Sequence, residues 1–211
     1  MSRIMSFARF CDWGGGVGSW VAEGLGRSGV GQITLVDMDV IAESNINRQL
    51  PALSSTLGES KVLVVAQRLH DINPDVVVNA IDDFLTVDNV AKILPSREMA
   101  NTLKAQGKKI VVLDCTNDMN AKIDPTKITV GDLKEVYQDP LLAKLRTKLR
   151  EKGINRALKE KFGITCVYST EPPKTVKACE SGLHCGGYGS SVAMTCGMAM
   201  VVVGLVIGSG G

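Results

Sequence analysis

Residues 11–25, CDWGGGVGSWVAEGL, join a glycine-rich turn to the start of a predicted helix. Glycines that follow a first strand let the backbone approach a phosphate, and the helix after them supplies free N–H groups and the positive end of its dipole. An acid about 20 residues later, here Asp37 or Asp39, can hold ribose hydroxyls. The stretch therefore predicts a nucleotide site, and it fits NAD, FAD, S-adenosylmethionine and ATP about equally.

The glycine spacing departs from a strict G-x-G-x-x-G pattern. Reading back from Gly18, the three glycine positions hold Trp13, Gly15 and Gly18. A large side chain at the first position can distort the tight turn, although Gly14 and Gly16 give the backbone other freedom. The turn alone does not identify the nucleotide.

Strands alternate with helices along the first half of the chain. The predicted strands are QITLVDMD (32–39), VVVNAI (76–81) and KKIVVLDCTND (108–118). Helices are predicted from Ser19 to about Arg27, over 60–74, and in two short stretches near 87–94 and 97–106. This alternation predicts an α/β fold, a Rossmann-like doubly wound, mainly parallel sheet with ligands at the carboxyl ends of its strands.

The second half predicts an α+β extension of the same domain. It contains KITVGDL, a charged helix from 140 to about 152, ITCVYSTE and an apolar C-terminal stretch. A chain of 211 residues with 45% hydrophobic residues is long enough for one α/β domain and short for two. We therefore expect a single domain over 1–211, with 123–211 as its substrate or dimer extension.

Composition also predicts the compartment. MSRIMSFARFCDW lacks the continuous apolar core of a signal peptide, which favours the cytoplasm, and six cysteines without a CxxC pair are expected to be mostly reduced thiols. Residues 190–211 carry no charge and are long enough to cross a bilayer. Their glycines and the lack of flanking Lys or Arg favour a buried core or dimer helix over membrane contact.

A second motif narrows the choice among these nucleotides. LVDMDVIAESNINRQL (35–50) is followed by GESK (58–61), and together with GGVGS these segments resemble the E1-like ThiF/MoeB/HesA superfamily of ATP-dependent adenylating enzymes. The superfamily pattern combines GGVGS, D-x-D, S-N-x-x-R-Q and a downstream lysine. The matching residues, to which the resemblance assigns ATP binding, are Gly15, Gly16, Gly18, Asp37, Asp39, Asn45, Arg48, Gln49 and Lys61.

The resemblance implies adenylation, in which a carboxylate attacks the α-phosphate of ATP. Arg48 and Lys61 would neutralise phosphate charge, while acids hold ribose and Mg²⁺. The superfamily places a catalytic, metal-associated Asp at the fourth position of D-x-x-D. In LDCTNDMNAK the first acid is Asp114, the fourth position is Asn117, and Asp118 follows. Because asparagine cannot carry the negative charge that helps hold Mg²⁺, the sequence departs from the pattern here, and we expect Asp114 or Asp118 to complete the metal site. We expect Asp118 to join Arg48 and Lys61 as a catalytic residue.

Further stretches, including DDFLTVDNVAKIL, KIDPTKITVGDL and QDPLLAKLRTKLR, are similar to the tRNA threonylcarbamoyladenosine dehydratase branch of the superfamily. That similarity implies that ATP adenylates the threonyl carboxylate of N6-threonylcarbamoyladenosine at position 37 of tRNA. The carbamoyl group then attacks the activated acyl carbon and AMP leaves, with net loss of water. It also implies a homodimer and a possible sulfur-relay protein partner, and the missing CxxC pairs lead us to expect no zinc.

Residues 139–162, DPLLAKLRTKLREKGINRALKEKF, predict a basic helix. Asp139 can cap it, Pro140 suits its first position, and four leucines at 141, 142, 145 and 149 form one apolar stripe. Each cation on its other faces can neutralise a tRNA phosphate, namely Lys144, Arg146, Lys148, Arg150 and Lys152. The alternative is a solvated amphipathic helix without a nucleic-acid partner.

Three other functions compete with a tRNA dehydratase. One is a MoeB- or ThiF-like adenylyltransferase that acts on the C-terminal carboxylate of a small sulfur-carrier protein. Another is a non-catalytic relative that binds nucleotide or tRNA, which Trp13 and Asn117 favour. The third is an unrelated NAD-binding protein, against which Arg48 and Lys61 argue, because a nicotinamide site does not need that pair of cations.

Overall fold

The computed structural model describes residues 7–11, 16–84, 89–93, 98, 101, 105, 110–114, 122–154, 160–172 and 191–208. Its main sheet has four parallel strands in the order β3-β2-β1-β4. They are β1 (Phe7–Cys11), β2 (Gln32–Val36), β3 (Val77–Ile81) and β4 (Ile110–Asp114).

The strand register brings all four carboxyl ends to one edge of the sheet. Cys11 at the end of β1 pairs with Val36 of β2 and with Asp114 of β4, and Val36 pairs with Ile81 of β3. In a parallel sheet this edge is where ligands bind. The predicted Rossmann-like α/β class is confirmed.

Helices α1 (Gly16–Arg27) and α2 (Lys61–Ile72) follow β1 and β2, and the short α3 (Val90–Ile93) follows β3. Helix α1 begins three residues before the predicted start at Ser19, and the Ser19 hydroxyl donates to Gly16 O at 3.2 Å within its first turn. Helix α2 ends before Pro74, as predicted, because the residue ahead of a proline disfavours helical geometry.

The extension contains a two-stranded antiparallel sheet, β5 (Ile128–Asp132) with β6 (Thr165–Ser169), and two helices, α4 (Pro140–Glu151) and α5 (Val192–Gly208). Asp139 caps α4 as expected, with its carboxylate accepting the N–H of Leu142 at 3.0 Å. The predicted α+β character of this half is therefore confirmed.

Helix α1 packs closely against both α2 and α5. A Cβ on Gly24 would lie 2.7 Å from Cγ2 of Val203 in α5, and one on Gly26 would lie 2.5 Å from Cδ2 of Leu69 in α2. These glycines weaken the helix by about 1 kcal/mol each relative to alanine. Their lack of a side chain lets the neighbouring helices approach.

Helix α5 contributes one face to the main core, through Met194, Met198, Ala199, Val203 and Val206. Its burial agrees with the core helix expected for this uncharged stretch. None of the helices in the described ranges combines the length and hydropathy that a membrane span requires.

Candidate nucleotide site

A cleft opens at the carboxyl end of β2, between α1 and α2. Its lining includes Gly18 and Ser19 from α1, Asp37 directly after β2, and Lys61 and Val62 from α2. Two segments that the sequence singled out, the glycine turn and the lysine after GES, therefore meet at one place. The cleft also has an apolar wall, because Val62 is buried in the core.

Lys61 is a buried cation held by a more exposed acid. Its side chain is 6% exposed, and its Nζ lies 2.8 Å from Oδ2 of Asp39, whose side chain is 51% exposed. Asp37 is buried, and its Oδ1 accepts the N–H of Asp39 at 2.8 Å. Burial raises the pKa of Asp37, although the Asp39 N–H and the charge of Lys61 oppose the shift. The cleft is thus lined by the Lys61 ammonium and the Asp37 carboxylate, with Asp39 beside it as the partner of Lys61.

The SNINRQ segment lies beside the cleft, in and after a 3-10 turn over Glu43–Asn45. Asn45 is buried, and its Oδ1 accepts the N–H of Ala42 at 3.0 Å, so its amide shapes the turn. Gln49 is also buried. Arg48 is half-buried, and its Nη1 donates to Ser44 O at 2.6 Å, which folds its guanidinium back over its own turn.

Three side chains that the sequence analysis did not select hold this segment in place. The indole Nε1 of Trp20 donates to Arg48 O at 3.0 Å, and Oγ1 of Thr195 donates to the same oxygen at 3.0 Å. The N–H of Leu50 donates to Oγ of Ser19 at 3.2 Å. Ser19 and Trp20 were visible as the end of the glycine motif, and Thr195 as the one hydroxyl residue in VAMTCGMAMVVVGLVIG.

The structure describes some of the predicted glycine and metal residues and not others. Gly16 and Gly18 are buried in the first turn of α1, whereas Gly15 and Asp118 lie outside the described residues. Asp114 ends β4 at the ligand-binding edge, and the structure describes its backbone alone. Among the side chains that are described, no group of three or more His, Cys, Asp or Glu residues is arranged to hold a metal ion.

The five predicted tRNA-binding cations, four on α4 and Lys152 at its C-cap, divide into two sets. Lys144, Lys148 and Lys152 are exposed, and their four-residue spacing places them on one face, which we call the lysine stripe. By contrast, Nη1 of Arg146 donates to Val136 O at 2.8 Å and to Leu133 O at 3.0 Å. The guanidinium of Arg150 lies over the Phe162 ring, 5.5 Å from its centroid.

The predicted four-leucine stripe of α4 is only half-buried. Leu142 and Leu149 pack against a small core around Leu133. Leu141 and Leu145 are 37% and 39% exposed. Their position on α4 places them near the border of the packed face, where a helical pattern cannot separate buried from exposed positions.

The two cysteines whose thiols the structure describes, Cys166 and Cys196, have raised pKa values, which favours the protonated thiol near neutral pH. Burial raises the pKa of Cys166 to about 11, with the charges of Asp132 and Asp139 adding to the shift. Burial also raises the pKa of Cys196. At neutral pH neither described thiol supplies the thiolate that sulfur transfer requires.

Comparison with known proteins settles the family. The sequence model of the ThiF family matches residues 14–207. The chain belongs to the ThiF family. Within the ThiF family it is 39% identical to the tRNA threonylcarbamoyladenosine dehydratase of Haemophilus influenzae, across 92% of this chain and 81% of that protein.

Solved structures agree with this placement in the ThiF family. The crystal structure of the Escherichia coli tRNA N6-threonylcarbamoyladenosine dehydratase in complex with AMP superposes with a TM-score of 0.77. It is 34% identical, and the match covers 97% of this chain and 85% of that one. The same enzyme in complex with ATP gives a TM-score of 0.76. The predicted superfamily and its dehydratase branch are both confirmed.

Proposed function

We propose that this ThiF-family chain is an ATP-dependent dehydratase that cyclises N6-threonylcarbamoyladenosine at position 37 of tRNA. The observation that carries the proposal is the cleft in which α1, Asp37 and Lys61 converge beside the Arg48 segment. A relative with the same fold over 97% of this chain has been crystallised with ATP.

The cleft residues fit a nucleoside triphosphate. The Lys61 ammonium is buried and paired with a half-exposed carboxylate, so a phosphate can replace Asp39 as its partner at small cost in desolvation. Asp37 offers a buried acceptor for ribose hydroxyls. Gly18 lines the cleft in the first turn of α1 and carries no side chain that would keep a phosphate from the helix N-terminus.

In the proposed reaction the threonyl carboxylate attacks the α-phosphate of ATP and pyrophosphate leaves. The carbamoyl group then attacks the acyl carbon, AMP leaves and the ring closes. Arg48 and Lys61 stabilise the negative charge on the phosphate oxygens in both steps. Asp114 and Asp118 would hold Mg²⁺, because that cation prefers oxygen ligands, and the ion would supply a divalent charge that offsets the charge of the phosphates. Asn45 shapes the turn that precedes Arg48, because its Oδ1 accepts the N–H of Ala42 at 3.0 Å.

For the tRNA we narrow the predicted contacts to the lysine stripe. Four residues of helix rise about 6 Å, so Lys144, Lys148 and Lys152 form an evenly spaced row of cations. Described carboxylates make no ion pair with these lysines. Arg146 and Arg150 are engaged within the fold. An anionic backbone with regularly repeating phosphates is the ligand that such a row suits.

We also propose a homodimer, with residues 123–211 as the part that contacts the substrate or the second subunit. A cytoplasmic location and a sulfur-relay protein partner belong to the same proposal. The exposed apolar side chains of α5, Met200, Leu205 and Ile207, support a subunit contact on this half of the chain.

Pyrophosphate release distinguishes this function from its competitors. The purified protein is incubated with ATP and one of three substrates: tRNA bearing N6-threonylcarbamoyladenosine, the same tRNA without the modification, or a small sulfur-carrier protein with a free C-terminus. We expect release only with the modified tRNA, and loss of that release in the Arg48→Ala and Lys61→Ala variants. Release with the carrier alone would instead support adenylyl transfer to a protein, and no release with any substrate would support a non-catalytic relative.

A further inference from the structure

Thr195 lies where the two proposed phosphate-binding segments meet. Its Oγ1 donates to Arg48 O at 3.0 Å, and its Cγ2 lies 3.0 Å from where a Cβ on Gly16 would stand. Thr195 belongs to α5, 147 residues along the chain from Arg48, and it is 1% exposed. One buried side chain of the C-terminal helix therefore contacts both the start of α1 and the arginine segment.

The hydroxyl of Thr195 makes its shortest contact outside its own helix. Threonine within a helix often donates to the carbonyl one turn earlier. Here the distances to Ser191 O and Val192 O are 3.4 Å and 3.3 Å, longer than the 3.0 Å to Arg48 O. The hydroxyl is thus directed to the tertiary partner.

Arg48 O also accepts the indole N–H of Trp20, so the backbone at this residue is fixed from α1 and from α5 together. The next anchor is two residues on, where the Leu50 N–H donates to Ser19. The guanidinium of Arg48 is attached to this fixed backbone, and its Nη1 donates to Ser44 O at 2.6 Å. It must release that carbonyl to reach the cleft, and how far it then reaches depends on where its Cα is held.

We propose that Thr195 is a positioning residue for Arg48. Its hydroxyl fixes the arginine backbone beside the start of α1, so that the guanidinium and the N–H groups of the helix address the same phosphates. This inference rests on the proposed role of Arg48 in binding ATP. Thr195 itself does not touch the nucleotide.

Two substitutions separate the hydroxyl from the shape of the side chain. Thr195→Val keeps the volume and removes the hydrogen bond, whereas Thr195→Ser keeps the hydroxyl and removes the methyl. Calorimetric titration with ATP and Mg²⁺ measures the dissociation constant of each variant, and thermal unfolding is recorded beside it. We expect Thr195→Val to weaken ATP binding roughly five- to tenfold, the value of about one hydrogen bond, and Thr195→Ser to stay within about twofold of the parent.

A double-mutant cycle with Arg48→Ala shows whether Thr195 acts through Arg48. In the Arg48→Ala background we expect Thr195→Val to change ATP affinity by less than about twofold. A side chain that merely stabilises the fold would weaken binding by the same factor in both backgrounds, and that result would overturn the inference even if Thr195→Val lowers the unfolding temperature.

The outcomes also separate this inference from the proposed function. If Arg48→Ala weakens ATP binding measurably while Thr195→Val binds like the parent, the positioning role is wrong and the role of Arg48 stands. If the parent chain does not bind ATP, or if Arg48→Ala binds it normally, the proposed function of Arg48 fails and the positioning role fails with it.

Discussion

Asp37 combines burial with a raised pKa, and its proposed role is to bind the nucleotide rather than to stabilise the fold. Because its folded pKa exceeds its unfolded value, its ionised form costs stability, and the cost is fully present once the pH rises above the folded pKa. Asp37→Asn keeps an oxygen for the Asp39 N–H. We expect an unfolding temperature at pH 7 equal to or above that of the parent, together with ATP binding weakened roughly 10- to 100-fold.

Calorimetry and thermal unfolding of the same Asp37→Asn sample test this pair of effects. The matched control is Asp71→Asn, at an exposed acid on α2, which should change neither quantity. A variant with lower stability and unchanged ATP affinity would show that Asp37 supports the fold and not the nucleotide.

Glu23 shows the opposite electrostatic behaviour. Burial disfavours its charge, but hydrogen bonds from Arg68, at 2.7 and 3.0 Å, and from Arg27, at 2.8 Å, outweigh this and lower its pKa. Its contribution to stability is therefore present above the unfolded pKa and is lost as the pH falls through the lower folded value. We expect Glu23→Gln to lose about 1–3 kcal/mol of unfolding free energy at pH 7.

Urea unfolding at neutral pH and again at about pH 3 measures the loss for Glu23→Gln, and the difference from the parent should shrink at the lower pH as Glu23 protonates. Glu59→Gln, at an exposed acid, serves as the control and should stay within about 0.5 kcal/mol of the parent at both. An equal loss at the two pH values would mean that the ion pairs do not carry the effect.

At the scale of elements, the packing of α1 against α5 depends on Gly24. Gly24→Ala gains helix propensity but drives its Cβ against the stiff Val203 side chain, so we expect a net loss of about 1–3 kcal/mol. At Gly204, also in α5, an added methyl would meet nothing within 4 Å, and Gly204→Ala should gain about 0.5–1 kcal/mol. Urea unfolding measures the stability of both variants. An equal gain of stability in the two would contradict the close packing of α1 against α5.

Substitutions in the two cation sets of α4 are expected to affect different properties, tRNA binding in one and stability in the other. Replacing the three residues of the lysine stripe by glutamine should leave stability unchanged and weaken tRNA binding. The slope of the logarithm of the binding constant against the logarithm of salt concentration should become shallower by about 2–3. Arg146→Gln should instead cost about 1–3 kcal/mol of stability, because it leaves the carbonyls of Leu133 and Val136 without their donor. Salt-dependent binding and urea unfolding measure the two effects, and the reverse assignment would disprove the lysine stripe.

At the scale of the whole molecule, the sequence predicted the parallel sheet because glycine turn, strand and helix patterns agreed with one another. It also predicted that the cleft residues Asp37 and Lys61 belong to one site, because both match the superfamily motif. It did not predict Thr195, because no local pattern links positions 147 residues apart. The division of the α4 cations also escaped it, since helical periodicity shows which residues share a face but not which face packs.

The most direct test of the proposed dehydratase function is to measure the change in mass of the modified nucleoside in tRNA. Purified protein, ATP and Mg²⁺ are incubated with tRNA bearing N6-threonylcarbamoyladenosine. The tRNA is then digested to nucleosides, and their masses are measured by mass spectrometry. We predict conversion of the modified adenosine to a product lighter by one water, only when ATP is present. An unchanged nucleoside after incubation with folded protein that binds ATP would contradict the dehydratase assignment.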